Sequence, residues 1–587
     1  MDDPTPPLPP RPPAPRSPSP VRRAVSRAVG LLPAPRDAAA LAVGRSVKDL
    51  ITGRPPESWR TRKGEPPLDP RLLVEARRAL DEDRPADAVA VAGEILATHP
   101  RTIAAHEIRH VALLRSGEPT ASLAALRELR RIGDTPERAD LDRRLVGMLR
   151  ESDPLWLPRI PGPAEPIEPA APGRILYILK ESLPDRQSGF SLRSHHTMAA
   201  LRRAGLDPLA VTALGFPRSA GRVAPAVETV EGTRVHRLDL GAAYPADVPF
   251  DRYLEDFAWL ASGVVRAERP AILHAASGLR GCDIALVGLA LREHHGLPLV
   301  YDVRSFFETT WSSRPGAEHA EVARRRHVAD TRVMAAADAV VTIAEAMRED
   351  IVARGIPAER VFVVPNGVDA EQFSPRPPDP ELRARLGLHG FVFGYVSNLD
   401  HPREGQELLV EAAARLRARG RDATCLIVGD GRRRAELEEQ ARLAGAGQAV
   451  VFTGAVPHAE VPAHYALLDA FVVPRREERA ARHVTPLKPY EAMAMERALV
   501  VSDLPALREI AAPDERGLAF AAEDADALVA CLERLMDAPE LGRALGSAGR
   551  AWVVRERSWA AAVPRLEAAY AGARERWAAG RRQAARR

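Results

Sequence analysis

The stretch Arg482-His-Val-Thr-Pro-Leu-Lys-Pro-Tyr-Glu-Ala-Met-Ala-Met-Glu-Arg-Ala-Leu-Val-Val-Ser-Asp503 joins a phosphate-sized turn, a lysine and a helix-borne carboxylate. On either side lie short apolar runs, Ala470-Phe-Val-Val-Pro474 before it and Ala498-Leu-Val-Val-Ser502 within its end, which suit strands buried on both faces of a parallel sheet. One helix fits between them, from Pro489 to about Arg497, since proline is tolerated at the first helical position. The free amides from Thr485 through Pro486 and Leu487 to Lys488 can then face an anion, with Lys488 adding a full charge. Glu491, one turn into the helix, is placed to accept hydrogen bonds from a pair of hydroxyls such as a ribose offers. Taken alone, the same pattern also fits a helix start carrying ordinary solvated charges.

Working outward, strand-like runs recur at Val392–Val396, Thr424–Val428, Ala449–Thr453, Phe471–Val473 and Leu499–Val501, separated by helical or turn-rich stretches. That alternation predicts a doubly wound α/β domain, in which ligands sit at the carboxyl ends of the strands. Three of those ends are Ser397–Gly405, Gly429-Asp-Gly431 and Gly454-Ala-Val456-Pro-His458, where glycine permits close backbone approach. Each of the three, read singly, also fits a plain turn.

From about Gly173 to Gly572 the sequence resembles the retaining glycosyltransferases of family 4, group 1. Arg174-Ile-Leu-Tyr-Ile-Leu179, Ser188-Gly189-Phe, Ala271-Ile-Leu-His274 and Val300-Tyr-Asp-Val-Arg304 carry the resemblance in family order. Ala337-Asp-Ala-Val-Val-Thr-Ile343, Val363-Val-Pro-Asn-Gly-Val-Asp369, Leu426-Ile-Val-Gly-Asp-Gly431 and the Thr485–Glu491 turn follow. The resemblance implies a GT-B fold, two Rossmann-like domains facing a cleft. It implies that Gly189 lets a backbone amide approach the donor diphosphate, that Arg475 and Lys488 neutralise that diphosphate with help from Arg403, and that Glu491 holds the ribose. It also implies that Val456, beyond Gly454, packs on the base, and that His274 lies at a strand end facing the cleft, near the transferred sugar.

Four positions depart from the family pattern. His483 stands where the family's Glu-x7-Glu element has its first glutamate, which helps hold the sugar. Asn398 and Glu404 occupy the loop positions where the family commonly has Arg and Lys. Ala276 replaces the second residue of a His-x-His pattern. The implied reaction moves a glycosyl group from a nucleotide-diphosphate sugar to a glycan, lipid-linked or protein acceptor with retention at the anomeric carbon. Orientation and charge stabilisation of the leaving group are the protein's share, and no metal or other cofactor is expected, because a GT-B site does not require one. The departures keep open a second reading, a scaffold that binds nucleotide sugar or glycan without turnover, and a third, another GT-B chemistry such as sugar-nucleotide epimerisation.

The chain is longer, at 587 residues, than one core usually holds, and 45% hydrophobic residues give enough to bury. No apolar run approaches the ~20 residues that span a bilayer, and the first segment lacks a signal-peptide core, so a cytoplasmic location is expected. Cys282, Cys425 and Cys531 are far apart in apolar surroundings and read as buried thiols. A net charge of +4 from 83 basic and 79 acidic residues gives no case for nucleic acid as a partner.

The N-terminal part reads separately. Ten of the first twenty residues are proline, as in an extended, solvated tail. Val21–Leu32 is basic and apolar; it fits weak peripheral contact at the inner face of a membrane, a short packed helix or a disordered segment. From Leu68 to Arg150 the pattern turns helical, and Arg84-Pro-Ala-Asp-Ala-Val and Glu118-Pro-Thr-Ala-Ser-Leu lie 34 residues apart, the period of a tetratricopeptide (TPR) helix pair. Such a block can take a protein partner; a small helical bundle is the competing account. The expected domains are a tail to 65, the helical region at 66–153, a proline-rich linker at 154–173, an acceptor domain at 174–375, a donor domain at 376–554 and a C-terminal helix at 555–587 that packs back on the acceptor domain.

Overall fold

The computed structural model describes residues 68–586 except 246, 313 and 315. The proline-rich tail and the Val21–Leu32 segment lie outside the described residues. The described residues fall into two compact units: those up to Trp156 with Asp239–Asp256 and Arg314–Arg325, and those of Leu157–Leu238 with Phe257–Ser313 and from Arg326 onward.

Among the described residues up to Trp156, the first unit has five helices, Pro70–Asp81, Pro85–Thr98, Ile103–Arg115, Pro119–Ile132 and Pro136–Glu151. Four of them start with proline at the first turn, where its missing N–H has no partner to lose. The 34-residue offset holds in the backbone. Arg84 and Glu118 precede their helices with nearly the same dihedrals (φ −108°, ψ 68° and φ −111°, ψ 68°). Their amides donate to Ala79 and Leu113, which are themselves 34 residues apart. Leucine and alanine on the facing sides, among them Leu73, Ala76, Ala88, Ile95 and Ala105, form one small core, and Leu126, Leu129 and Leu145 lie in a second.

The second unit holds two sheets. Eight strands, β1 (Arg174–Leu179), β2 (Asp207–Thr212), β3 (Val227–Val230), β4 (Thr233–Arg237), β5 (Ile272–Ala276), β6 (Leu299–Val303), β7 (Ala339–Thr342) and β8 (Val361–Val363), run in the order β3-β4-β2-β1-β5-β6-β7-β8. All neighbours are parallel except β3 and β4. Six further strands, β9 (Phe391–Val396), β10 (Ala423–Val428), β11 (Val450–Phe452), β12 (Ala470–Val473), β13 (Ala498–Ser502) and β14 (Leu518–Phe520), form an all-parallel sheet ordered β11-β10-β9-β12-β13-β14. β5, β6, β7, β10, β12 and β13 are buried at every position, which is why their sequences are mostly apolar rather than alternating, with His274 in β5 and Asp302 in β6 among the buried polar exceptions.

The strand order fixes where a ligand can bind. In the second sheet the chain steps outward from β9 to β11, then returns to lay β12 on the other side of β9. In the first it leaves β1 for β2 and returns to β5. These two reversals are the topological switch points, and the loops leaving β9 and β12, and β1 and β5, diverge there to open a crevice. The last helix, Val563–Arg586, packs on the first sheet: Leu566, Ala569, Tyr570 and Ala573 share a core with Ile175, Tyr177 and Val341, and the Tyr177 and Tyr570 hydroxyls meet at 2.8 Å.

Three local details differ from the sequence expectation. The helix after the Thr485 turn spans Lys488–Ala494, stopping short of Arg497, because Glu496 adopts a left-handed conformation (φ +57°) that ends it. A five-residue helix, Arg479–His483, precedes the turn. β14 follows a loop and is only three residues long, too short to register as a periodic pattern. Cys282 and Cys425 are buried and Cys531 half-buried, all as free thiols. No described helix is long and apolar enough to cross a membrane.

Candidate active site

The β9–β12 switch point brings the loop Ser397–Gly405 against the start of the segment Pro474–Lys488. Gly405 makes this possible: it sits at φ +70°, and a Cβ there would stand 1.8 Å from the Pro474 carbonyl oxygen. The close approach delivers Glu404 to Arg475. One guanidinium nitrogen of Arg475 donates to Glu404 Oε1 at 3.0 Å and its Nε to Oε2 at 3.3 Å, while its third nitrogen donates to the Val484 carbonyl at 2.8 Å. The Tyr395 hydroxyl, rising from β9, donates to Glu404 Oε2 at 2.6 Å. Burial opposes the Glu404 charge, yet Arg475, Lys488 and the Tyr395 hydroxyl together hold its carboxyl at about 2. Burial likewise opposes the Arg475 charge, and the Glu404 carboxylate reverses the balance, so the guanidinium stays firmly protonated.

Arg475 is thus tied to Glu404 and to the Val484 carbonyl, at a position where the resemblance implies a phosphate ligand. Each of its three nitrogens makes one bond to the protein, and it joins the β9 loop to the backbone just ahead of the Thr485 turn. Glu404, one of the four departing positions, is its counter-ion. Lys488 has no such tie: it lies within electrostatic range of Glu404 and Glu491 and, among the described residues, closes a salt bridge with neither. Arg403 is close by and partly buried, 3.8 Å from Glu404. Burial lowers its pKa, so an anion arriving there would restore what desolvation costs.

Glu491 follows one turn after Lys488. The Tyr465 hydroxyl donates to its Oε2 at 2.7 Å, which leaves Oε1 able to accept from a ligand hydroxyl. Burial raises the Glu491 pKa, with the Tyr465 hydroxyl and Lys488 pulling the other way. Tyr465 and Tyr395 were not legible as site residues, because each sits in an apolar run and reads as core.

The turn itself is clamped from both sides. Thr485 is buried, its hydroxyl donating to the Ile343 carbonyl at 3.3 Å and its carbonyl accepting from Asn366 Nδ2 at 2.9 Å. Pro486 is buried and Leu487 half-buried, with Leu487 Cδ1 3.3 Å from where a Cβ on Gly189 would stand. Gly189 opens the 15-residue helix Gly189–Arg203 at the β1 switch point, behind the capping hydroxyl of Ser188. A side chain at 189 would press on the turn.

The remaining expected residues fall as follows. Gly429 (φ +137°) follows β10, where a Cβ would meet the Ser397 carbonyl at 1.9 Å; its amide donates to the Gly454 carbonyl at 3.1 Å. Val456 packs partly buried against the core of the second sheet. Asn398 is exposed, and its Oδ1 accepts from the Asp400 amide at 2.6 Å, shaping the loop. His483 turns toward the first sheet's domain: its Nε2 lies 3.5 Å from Asp350 Oδ2 and its ring meets Phe306 edge to face at 5.7 Å. His274 is not at the cleft. It lies in the middle of β5 at 1% exposure, stacked on Tyr177 at 4.1 Å, with Nδ1 at 3.1 Å from the Tyr570 hydroxyl and Nε2 at 3.4 Å from Asp302. Burial lowers its pKa. The strand-end position implied for it fails because β5 runs two residues further, to Ala276.

Two Rossmann-like domains meeting at their switch points define a GT-B protein, with the Thr485–Glu491 turn at their junction. The sequence matches two descriptions, "Glycosyl transferases group 1" over residues 390–538 and "Glycosyl transferase 4-like domain" over residues 188–367. It is 31% identical over 349 residues to a GDP-mannose-dependent alpha-mannosyltransferase of Mycolicibacterium smegmatis, covering 58% of this chain and 83% of that one. It is 31% identical over 245 residues, 41% of this chain and 63% of the other, to that organism's GDP-mannose-dependent alpha-(1-6)-phosphatidylinositol monomannoside mannosyltransferase. The alignment thus spans less than two thirds of the latter relative's length. Among solved structures, sucrose-phosphate synthase from Thermosynechococcus elongatus shares the fold with a TM-score of 0.56 at 22% identity, covering 69% of this chain and 100% of that one. The chain belongs to the group 1, family 4-like glycosyltransferases.

Proposed function

We propose that this protein transfers a glycosyl group from a nucleotide-diphosphate sugar to a glycan, lipid-linked or protein acceptor, with retention at the anomeric carbon. The observation that carries the reading is the spacing of Lys488 and Glu491 at the β9–β12 switch point: an uncommitted ammonium, then one helical turn on a carboxylate with one oxygen held by Tyr465 and the other open. The first suits a diphosphate and the second a ribose diol. The helix they share has seven residues, so the full charge of Lys488, rather than the helix dipole, supplies most of the attraction.

In this reading Lys488 stabilises the charge that develops on the departing diphosphate, with Arg403 as the second cation. The acceptor hydroxyl attacks from the face the diphosphate leaves, and a diphosphate oxygen takes its proton. Two protein cations meet the leaving-group charge, so no metal enters the scheme.

A second reading, a donor-binding scaffold without turnover, is favoured by one feature. His483 points at Asp350, so no carboxylate from that position reaches the sugar. Purified protein assayed for donor hydrolysis and transfer over a panel of nucleotide-diphosphate hexoses separates the two. Turnover that disappears in Lys488→Ala with folding retained supports the enzyme. Donor binding without hydrolysis or transfer to any acceptor class supports the scaffold, and undiminished donor binding in Lys488→Ala rejects the site itself.

A further inference from the structure

The connection between the two sheets passes through Pro365-Asn366-Gly367, and Asn366 is buried there at 6% exposure. Its side-chain amide is used at both ends. Oδ1 accepts from Arg193 at 3.2 Å, and Nδ2 donates to the Thr485 carbonyl at 2.9 Å. Arg193 comes from the Gly189–Arg203 helix and also donates to the Val364 and Pro365 carbonyls, at 2.8 and 3.0 Å. Asp302, at the end of β6, lies 3.7 Å behind it. Arg193 is 3% exposed and Asp302 2%, so the strut is dry.

From this geometry we infer that Asn366 is a positioning residue for the donor turn, relaying the Arg193 anchor of one domain to the Thr485 carbonyl of the other. The inference rests on the reading of Thr485–Lys488 as the diphosphate turn. The chemistry of the position admits few residues. The side chain must accept from a guanidinium on one side and donate to a carbonyl on the other, at a reach of one methylene. An amide does both. A carboxylate of the same shape keeps the bond to Arg193, with added charge attraction, but turns an acceptor toward the Thr485 carbonyl. Asn366→Asp therefore cuts one link of the relay while leaving the other intact. Gly367 allows no sideways adjustment, because a Cβ there would lie 2.9 Å from both the Arg557 carbonyl and the Trp559 ring.

The test compares Asn366→Asp with wild type by steady-state kinetics and by thermal unfolding. The expected result is a donor KM raised at least about fivefold, the worth of one lost neutral hydrogen bond, with acceptor KM unchanged. The midpoint of unfolding should fall only modestly, by the lost bond to the Thr485 carbonyl, because the Arg193 link remains. Donor KM should recover as the pH is lowered, since a protonated carboxyl again donates to the Thr485 carbonyl; a purely structural defect has no such recovery. Asn366→Ala, which can make neither bond, should raise donor KM without pH recovery, and it carries the test if the acid variant does not fold. Unchanged donor KM in both variants overturns the relay. Lys488→Ala measured in parallel separates the two failures: if it weakens donor binding and the Asn366 variants do not, only the relay is wrong, and if neither does, the turn is not the diphosphate site.

Discussion

Replacing Glu404 by glutamine tests the tie between the β9 loop and the donor turn. The glutamine keeps the size and shape of the side chain but removes the charge that Arg475, itself buried, depends on. Two independent routes give the magnitude. Holding a glutamate carboxyl at about 2 rather than 4.5 corresponds to about 3 kcal/mol in favour of the ionised, folded form. Breaking one partner out of a buried ion pair costs about 3–5 kcal/mol. The variant should therefore lose about 3 kcal/mol near neutral pH. Because the folded pKa lies below the unfolded one, the stabilisation is complete above about 4.5 and is lost as the pH falls toward 2. The gap between wild type and Glu404→Gln should accordingly shrink on acidification. Native-state hydrogen exchange read by mass spectrometry on peptides covering β9 and β12 measures the loss within that domain. A variant within about 1 kcal/mol of wild type at pH 7 would show that the pair does not hold the loops. A gap that widens on acidification would refute the direction of the linkage.

Two further outcomes follow from the same site. Gly405→Ala should disturb this junction most, since it both strains a positive φ and drives a methyl into the Pro474 carbonyl; a loss of about 2 kcal/mol or more in denaturant unfolding, with donor binding impaired, is expected, and a silent substitution would contradict the close approach. Tyr465→Phe should leave the fold in place but free the Glu491 carboxylate to turn, weakening nucleotide binding by about 1–2 kcal/mol in calorimetric titration, against no change if Glu491 does not meet the ribose.

Much of the fold was legible because parallel strands buried on both faces have little choice of residue: the runs around Val392, Thr424, Phe471 and Leu499 had to be apolar, and they stand where β9, β10, β12 and β13 are found. β14, at three residues, carries too few positions to make a pattern. The site was legible where local chemistry constrains it. Pro489 sets a helix start, and Lys488 and Glu491 are one turn apart in any helix that begins there. Arg475 and His274 show the limit. Both were placed by family position, and their partners lie far away in sequence, Glu404 71 residues from Arg475 and Tyr570 296 residues from His274.

By itself, then, the sequence determined the alternation of buried strands and helices, the helical block at its 34-residue offset and the Lys488–Glu491 spacing, since each follows from short-range periodicity and backbone preference. Only the tertiary structure decided that Arg475 spends its charge on Glu404, that His274 is enclosed by Tyr177 and Tyr570, that His483 turns to Asp350, and that Asn366 reaches the Thr485 carbonyl. A charged or polar side chain takes whichever partner the fold leaves beside it once water is excluded. That choice is made by chain crossings between distant segments, which no local pattern encodes.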